Sequence, residues 1–375
     1  MPLLDFARLG EPHANCVIVA ERRCSNGHAA VAGEGRSRRR AVTVPVQMDP
    51  RVLYVAGMGR TGSTVLGRVL GALPGITFAG ELSFFWRRYA NSELCSCGVA
   101  IPACPFWSDV VSRARGATSP EQARQLGQQE RQVIRGQLLT GLKLSGDPKL
   151  AREVLDGRVR LYRAIAQVAQ TPWVVDTGKE LAYCIVMARR AAIDFATIHL
   201  VRDPRGVAFS WLKVVQSDSE PGEMARRSVA STGAHWLMRN LFLQANLQPR
   251  RRASYVRVRY EDLVTRPPEV LNAISSASGL DVPSPAELPA LLAATPVGQH
   301  LVAGNPGVRA QRKGGLTLTL DEAWVDRLPQ AKRLAITAMC AGLMAPYGYR
   351  LRTPGRSSSR ANLRANYNEE VTRLR

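Results

Sequence analysis

Apolar residues along this chain gather in short continuous runs, and between the runs they recur at helical spacing. Arg51–Gly57 (RVLYVAG) has the length and composition of a buried strand, and a glycine-rich turn leads from it into a helix through Leu70. Ile76–Gly80 predicts a short strand that ends at Glu81. Residues 120–170 are helical in character and offer no strand candidate. Trp173–Asp176 (WVVD) predicts a strand and residues 180–190 a helix. Residues 197–201 (TIHLV) predict another strand, running into RDPRGVAFSWL. Residues 255–260 (YVRVRY) alternate as a half-buried strand does, and the adjoining EDLVTRPPEVL reads as a turn whose prolines open a helix. Residues 321–343 form the last helical stretch. Strands alternating with helices predict an α/β fold, a parallel sheet with helices on both faces. Ligands of such folds bind at the carboxyl ends of the strands.

The ends of the chain lack this order. Residues 1–47, around GEGRSRRR, carry no sustained periodicity and read as a disordered leader, or as a segment ahead of a true start at Met48. The main domain is expected over 48–352, with a helical region at about 108–170, and residues 353–375 as a polar tail. With 375 residues at 45% hydrophobic content, the chain has material for one large core or two modest ones. No run approaches the ~18 apolar residues of a membrane helix, and the N-terminus lacks the pattern of a secretory signal. The expectation is a cytoplasmic protein without a membrane span.

The formal net charge of +21 changes the picture only in part. The basic residues are mostly arginines scattered along the chain, and no run exceeds Arg38-Arg39-Arg40, which argues against nucleic acid as the main ligand. The charge does favour an anionic ligand. Seven cysteines are too few for a disulfide framework in a cytosolic chain of this length. Cys95, Cys97 and Cys104 form one cluster that would begin a zinc or iron–sulfur site. No fourth ligand is recognisable, and the spacing is not that of a two-residue zinc knuckle. The preferred reading is a cysteine-rich loop with one reversible disulfide, and no metal is assigned.

The chemistry concentrates in AGMGRTGSTVLG, Ala56 to Gly67. Gly57, Gly62 and Thr64 occupy the glycine and hydroxyl positions of a phosphate-binding loop, but Ser63 stands where such a loop carries lysine. Gly59, Thr61 and the helix start complete a cradle of backbone amides, reinforced by the helix dipole. The cation appears instead as Arg60, at the crest, where a planar guanidinium reaches an anionic group beyond the phosphate. The fold expected is therefore a P-loop NTPase-like parallel sheet flanked by helices. In HLVRDPRGVAFSWL, Arg202 leaves a strand end while Ser210 lies two turns into the next helix, an arrangement able to clamp a terminal phosphate.

GMGRTGSTVL resembles the 5′-phosphosulfate loop of sulfotransferases that use 3′-phosphoadenosine 5′-phosphosulfate (PAPS), and HLVRDPRGVAFSWL resembles their 3′-phosphate motif. Further likeness covers Arg51 to about Tyr349. Gly80-Glu81 is similar to the position where tyrosylprotein and heparan-type members place a catalytic glutamate. VVDTGK resembles the Asp-Ser-Ser-Lys segment of bacterial members, with Thr177-Gly178 in place of the serines. HLVAGNPGVR, His300 to Arg309, resembles their late loop over the nucleotide. LCSCGVAIPACPFW is also similar to a segment of actinobacterial members.

The resemblance implies a PAPS-dependent transfer of a sulfuryl group in line to an acceptor hydroxyl or amine, with no metal required. Arg60, the loop amides, Ser63 and Thr64 would stabilise charge on the leaving phosphate, and Lys179 would touch the transferring sulfate. Gly59, Arg60, Thr61, Gly62, Ser63, Thr64, Arg202 and Ser210 would hold the nucleotide, with Gly304, Asn305 and Arg309 from the late loop. Glu81 is the candidate general base, its bland alternative being a salt bridge to Arg87 or Arg88. His199 is a rival base but lies inside a strand, where a histidine is more often a satisfied core group; His235 and His300 are further rivals. Asp176 would orient Lys179, while Tyr260 and Trp324 read as packing residues. The partners implied are PAPS, its product 3′-phosphoadenosine 5′-phosphate (PAP), and an acceptor recognised by residues 108–170 and 216–250. A kinase with a degenerate loop needs a magnesium-binding acid, for which Asp176 and Asp203 are the candidates. A non-catalytic basic binding module leaves the spacing of Arg60, Arg202 and Ser210 without a reason.

Overall fold

A computed structural model of the chain describes residues 49–139, 148–190, 192–213, 226–247, 254–294, 300–303 and 315–352. The leader 1–47 and the tail 353–375 lie outside the described residues.

Among the described residues five strands, β1 (Arg51–Gly57), β2 (Ile76–Gly80), β3 (Trp173–Asp176), β4 (Phe195–Val201) and β5 (Ser254–Arg259), form one parallel sheet in the order β2-β3-β1-β4-β5. β1 lies at the centre, with Val52 opposite Val174 on one side and Phe195 on the other. The chain turns to opposite sides of β1 for β3 and β4, so the crevice at the carboxyl end of β1 is the switch point where such sheets bind ligands.

The continuous apolar run of β1 has a direct cause, since both faces are covered. Val52, Tyr54 and Ala56 pack among helices on one face with Trp107, Tyr162 and Ile185. Leu53 and Val55 pack on the other with Leu66, Leu70 and Ile274. A third core joins Val207, Trp236 and Ile336. β5 is an edge strand, and its alternating sequence matches its largely intermediate burial.

The strands fall where the hydrophobic pattern puts them, with local differences. β4 begins at Phe195, because Phe195 and Ala196 still pair with Val52 and Leu53 of β1. The fifth strand covers Ser254–Arg259, and Tyr260 opens a short helix, Tyr260–Thr265. The stretch 120–170 divides into α4 (Pro120–Leu139) and α5 (Pro148–Ala169). The last helical stretch is broken into Trp324–Arg327 and Gln330–Met344 around Pro329, which holds Leu328 in an extended conformation. Among the described residues no helix is long and apolar enough to cross a membrane.

Candidate active site

The site is built from the segments that leave the carboxyl ends of β1, β2, β3 and β4. After β1 the chain turns into helix α1 (Ser63–Gly71). A Cβ at Gly57 would collide with the Leu200 carbonyl oxygen, and one at Gly62 with the Tyr260 ring. Gly62 is also left-handed at φ 90°, as is Arg60 at φ 71°, so the crest residue accepts a conformation that non-glycine residues seldom take. Thr61 Oγ1 donates to the Met58 carbonyl at 2.8 Å and closes the loop on itself. Within α1 the first backbone bond runs from Leu66 N to Gly62 O at 3.0 Å, leaving the amides of the first turn without an acceptor inside the helix. Thr61, Ser63 and Thr64 are buried around these amides.

Glu81 comes directly after the last residue of β2, and its backbone amide donates to Val302 O at 2.6 Å. Its carboxylate accepts from the Lys179 ammonium, which also donates to Ser63 Oγ at 3.1 Å. The structure thus joins the ends of β2 and β3 to the phosphate loop through side chains from three separate segments. The salt bridges weighed for Glu81 are replaced by this one: Arg88 pairs with Glu93 at 3.0 Å, and Arg87 lies over the Phe84 ring. Asp176 does not orient the Lys179 ammonium. It accepts from Gly178 N at 2.7 Å, Leu82 N at 3.2 Å and Tyr162 Oη at 2.7 Å, and so fixes the backbone on which Lys179 and Glu81 stand. Burial pushes its carboxyl above the usual range, opposed chiefly by the Arg158 charge.

Arg239, on α8 (Val229–Leu247), was not singled out by its sequence context. It donates from Nε to Gly57 O at 3.0 Å and from Nη2 to Lys179 O, tying the loop to the lysine's backbone. No local pattern marks it, because its partners come from two distant strands. Lys179 itself is left-handed at φ 61°, a strain this carbonyl contact helps to hold.

Arg202, immediately after β4, is buried beside the loop. It donates to Arg60 O at 3.3 Å and to Asp321 O at 2.8 Å, pairs with the Asp321 carboxylate at 3.2 Å, and lies 4.5 Å above the Tyr260 ring. Tyr260 is therefore more than packing, since one ring both limits the loop at Gly62 and supports Arg202. Ser210 sits half-buried on α7 (Pro204–Leu212). The next residue, Trp211, donates to Gly59 O at 3.3 Å and carries Arg60 5.4 Å from its ring. Burial lowers the Arg60 pKa, while the nearby Glu81 carboxylate raises it. Trp324 stacks under Arg205, 4.6 Å from the ring.

His199 is a satisfied core group. Its Nδ1 meets Tyr255 Oη at 2.8 Å and its Nε2 meets Asn240 Oδ1 at 2.7 Å, and burial drives its pKa down to about 4. His235 Nδ1 donates to Ser231 O at 2.7 Å within its own helix. His300 lies among the three clustered cysteines. Asp203 caps α7 and accepts from Arg205 on both oxygens, at 2.9 and 2.6 Å. Gly304, Asn305 and Arg309 lie outside the described residues.

The central β1, its glycine loop and the charges gathered at the neighbouring strand ends define a P-loop-like α/β fold. Residues 52–284 match the model of the Sulfotransferase family, more than half of the chain, and the chain belongs to that family. No curated protein matches it. Similar solved structures include the sulfotransferase domain from the curacin biosynthetic pathway, at 15% identity over 81% of this chain and 99% of that one, with a TM-score of 0.44. The sulfotransferase domain of the Synechococcus PCC 7002 olefin synthase is 19% identical over 82% and 98%, at 0.41. Sulfotransferase STF9 from Mycobacterium avium is 16% identical over 81% and 79%, also at 0.41.

Proposed function

We propose that the chain transfers the sulfuryl group of PAPS to a hydroxyl or amine of a small-molecule, glycan or lipid acceptor. The observation that carries this reading is the coupling of two anion-binding corners at adjacent strand ends. The glycine cradle after β1 and Arg202 after β4 are linked by the Arg202-to-Arg60 carbonyl contact, as a ligand with a phosphate at each end requires. The cradle suits a phosphosulfate: side chains are excluded at Gly57 and Gly62, the first-turn amides sit at the positive end of the helix dipole, and the hydroxyls of Ser63 and Thr64 are buried beside them.

Bound there, PAPS supplies an activated sulfuryl group. Arg60, Ser63 and the α1 amides stabilise the charge that grows on the leaving phosphate. Lys179 shares its ammonium between Ser63 and Glu81, and so lies where donor and acceptor meet. Glu81 takes the acceptor's proton on a carboxylate oxygen, and Lys179 holds that carboxylate in place. Asp176, Arg239 and Tyr260 position these groups without reacting. Arg202 and Ser210 hold the 3′-phosphate, and Gly304, Asn305 and Arg309 are assigned to the nucleotide by resemblance alone. The reading gives no step to a metal ion.

Nothing favours the kinase alternative. Asp176 and Asp203, the acids it would use for magnesium, have both oxygens committed to protein donors. Calorimetric titration with PAP in magnesium-free buffer tests the proposal on the full chain and on Arg202→Ala. Micromolar or tighter binding, largely lost in the variant while ATP binds poorly, is expected. Absent PAP binding, or tighter magnesium-dependent ATP binding, overturns it.

A further inference from the structure

We propose that Cys95, Cys97, Cys104 and His300 form a structural zinc site. The ligand atoms of the four residues all lie within 4.8 Å of one another. Cys97 Sγ is 3.7 Å from Cys104 Sγ, and His300 Nδ1 is 3.7 Å from Cys95 Sγ and 3.1 Å from Cys104 Sγ. Four ligands placed tetrahedrally around zinc, with bonds of about 2.3 Å to sulfur and about 2.0 Å to nitrogen, stand roughly 3.5–3.8 Å apart. The observed separations are close to that shape. The Cys97–Cys104 separation is too long for a sulfur–sulfur bond, and all the described cysteines are free thiols; the zinc site is proposed in place of the reversible disulfide. An iron–sulfur cluster, whose ligands attach to different irons, needs a wider set than this compact one.

The surroundings are built to hold four ligands in place. The cysteine loop is pinched by the Leu94–Ala100 bridge and by the Cys95 N to Val99 O bond of 2.8 Å, and it turns at Gly98 with φ 91°. Cys104 is also the N-cap of α3 (Pro105–Arg113), where the helix dipole favours negative charge. The fourth ligand arrives from a segment remote in sequence. Ser96 donates from N to Leu301 O at 3.2 Å, and Leu301 N returns a bond to Ser96 Oγ at 2.7 Å. The His300 ring stacks on Phe106, 4.9 Å away at an interplanar angle of 2°.

Three sulfurs and one imidazole make a closed donor set, as in structural rather than catalytic zinc sites. Two residues past His300, Val302 pairs with Gly80 and accepts from the Glu81 amide. The metal therefore fastens residues 300–303 against the end of β2, next to the proposed base. Zinc binding forms three Zn–S bonds and one Zn–N bond, and the three thiol protons leave to solvent.

Zinc content of the full chain, purified without chelator from zinc-supplemented cells, tests the site by elemental analysis and then by exchange with cobalt(II). One equivalent of zinc per chain is expected, falling to background in a Cys97→Ser/Cys104→Ser variant. The cobalt form should show thiolate charge-transfer and tetrahedral ligand-field bands. If the serine variant fails to fold, His300→Cys decides: it should keep the metal and intensify the charge-transfer band. A folded wild-type chain with neither zinc nor a cobalt–thiolate spectrum, or a His300→Cys spectrum identical to wild type, overturns the proposal. Metal content reads this site whether or not PAP binds, so its failure is distinct from failure of the sulfotransferase reading.

Discussion

β3 and β4 each carry a buried polar residue and, three positions later, a cation at the rim of the sheet: Asp176 then Lys179, His199 then Arg202. The members of each pair are used in opposite ways. Asp176 and His199 are fully enclosed, and core donors and acceptors satisfy them from several sides. Lys179 and Arg202 are held by partners from more than one segment, but their described contacts leave donor capacity over. The described contacts of Lys179 engage two of its three ammonium donors, and those of Arg202 fewer than its five. An interior polar group has its hydrogen bonds completed by the protein, whereas a rim cation keeps capacity for an anion. The difference is one of position along a strand, not of residue type.

Four experiments would break or sharpen this contrast. The largest effect is expected at Glu81, which the rim cation Lys179 holds. Glu81→Gln should lower single-turnover conversion of PAPS to PAP by about 10²–10⁴-fold with an acceptor found by screening. PAP affinity should change by less than about threefold, and a Glu81→Gln chain of normal rate would remove this residue from the chemistry. For the interior, Asp176→Ala leaves three buried donors without an acceptor. Chemical denaturation should register a loss of about 3 kcal/mol, and a chain of unchanged midpoint would contradict the role given to Asp176 as a fixed strut.

Arg202→Lys keeps the rim charge but loses the planar fork and its stack on Tyr260. PAP should bind about tenfold more weakly, near 1.4 kcal/mol. Equal affinity would mean that charge alone suffices there. The smallest effect concerns His199, whose folded pKa of about 4 lies below the ordinary 6.5. The unfolded chain binds this proton first, so the stability due to the neutral imidazole is complete above pH 6.5 and fades as pH falls toward 4. Roughly 1 kcal/mol should be lost between pH 7.5 and 5.5, with a shallower slope in His199→Gln. Parallel slopes would mean that this histidine is not the neutral core group described.

The sequence by itself determined the strands, the phosphate loop and the placing of Glu81, Lys179 and Arg202 at or just past strand ends. These are properties of contiguous residues, because a buried strand shows as an apolar run and a phosphate turn needs glycines at fixed spacing. Even the break at Pro329 is present locally, although the apolar pattern runs through it as one helix. Only the tertiary structure decided which groups meet. Lys179 and Glu81 are 98 residues apart, His300 and Cys95 are 205 apart, and Arg239 reaches Gly57 across 182. Tyr260 and Asp176 likewise gained their roles from partners in other segments. Side chains so distant in sequence leave no periodicity to read, and folding the strands into one sheet with a central β1 is what brings them within hydrogen-bond reach.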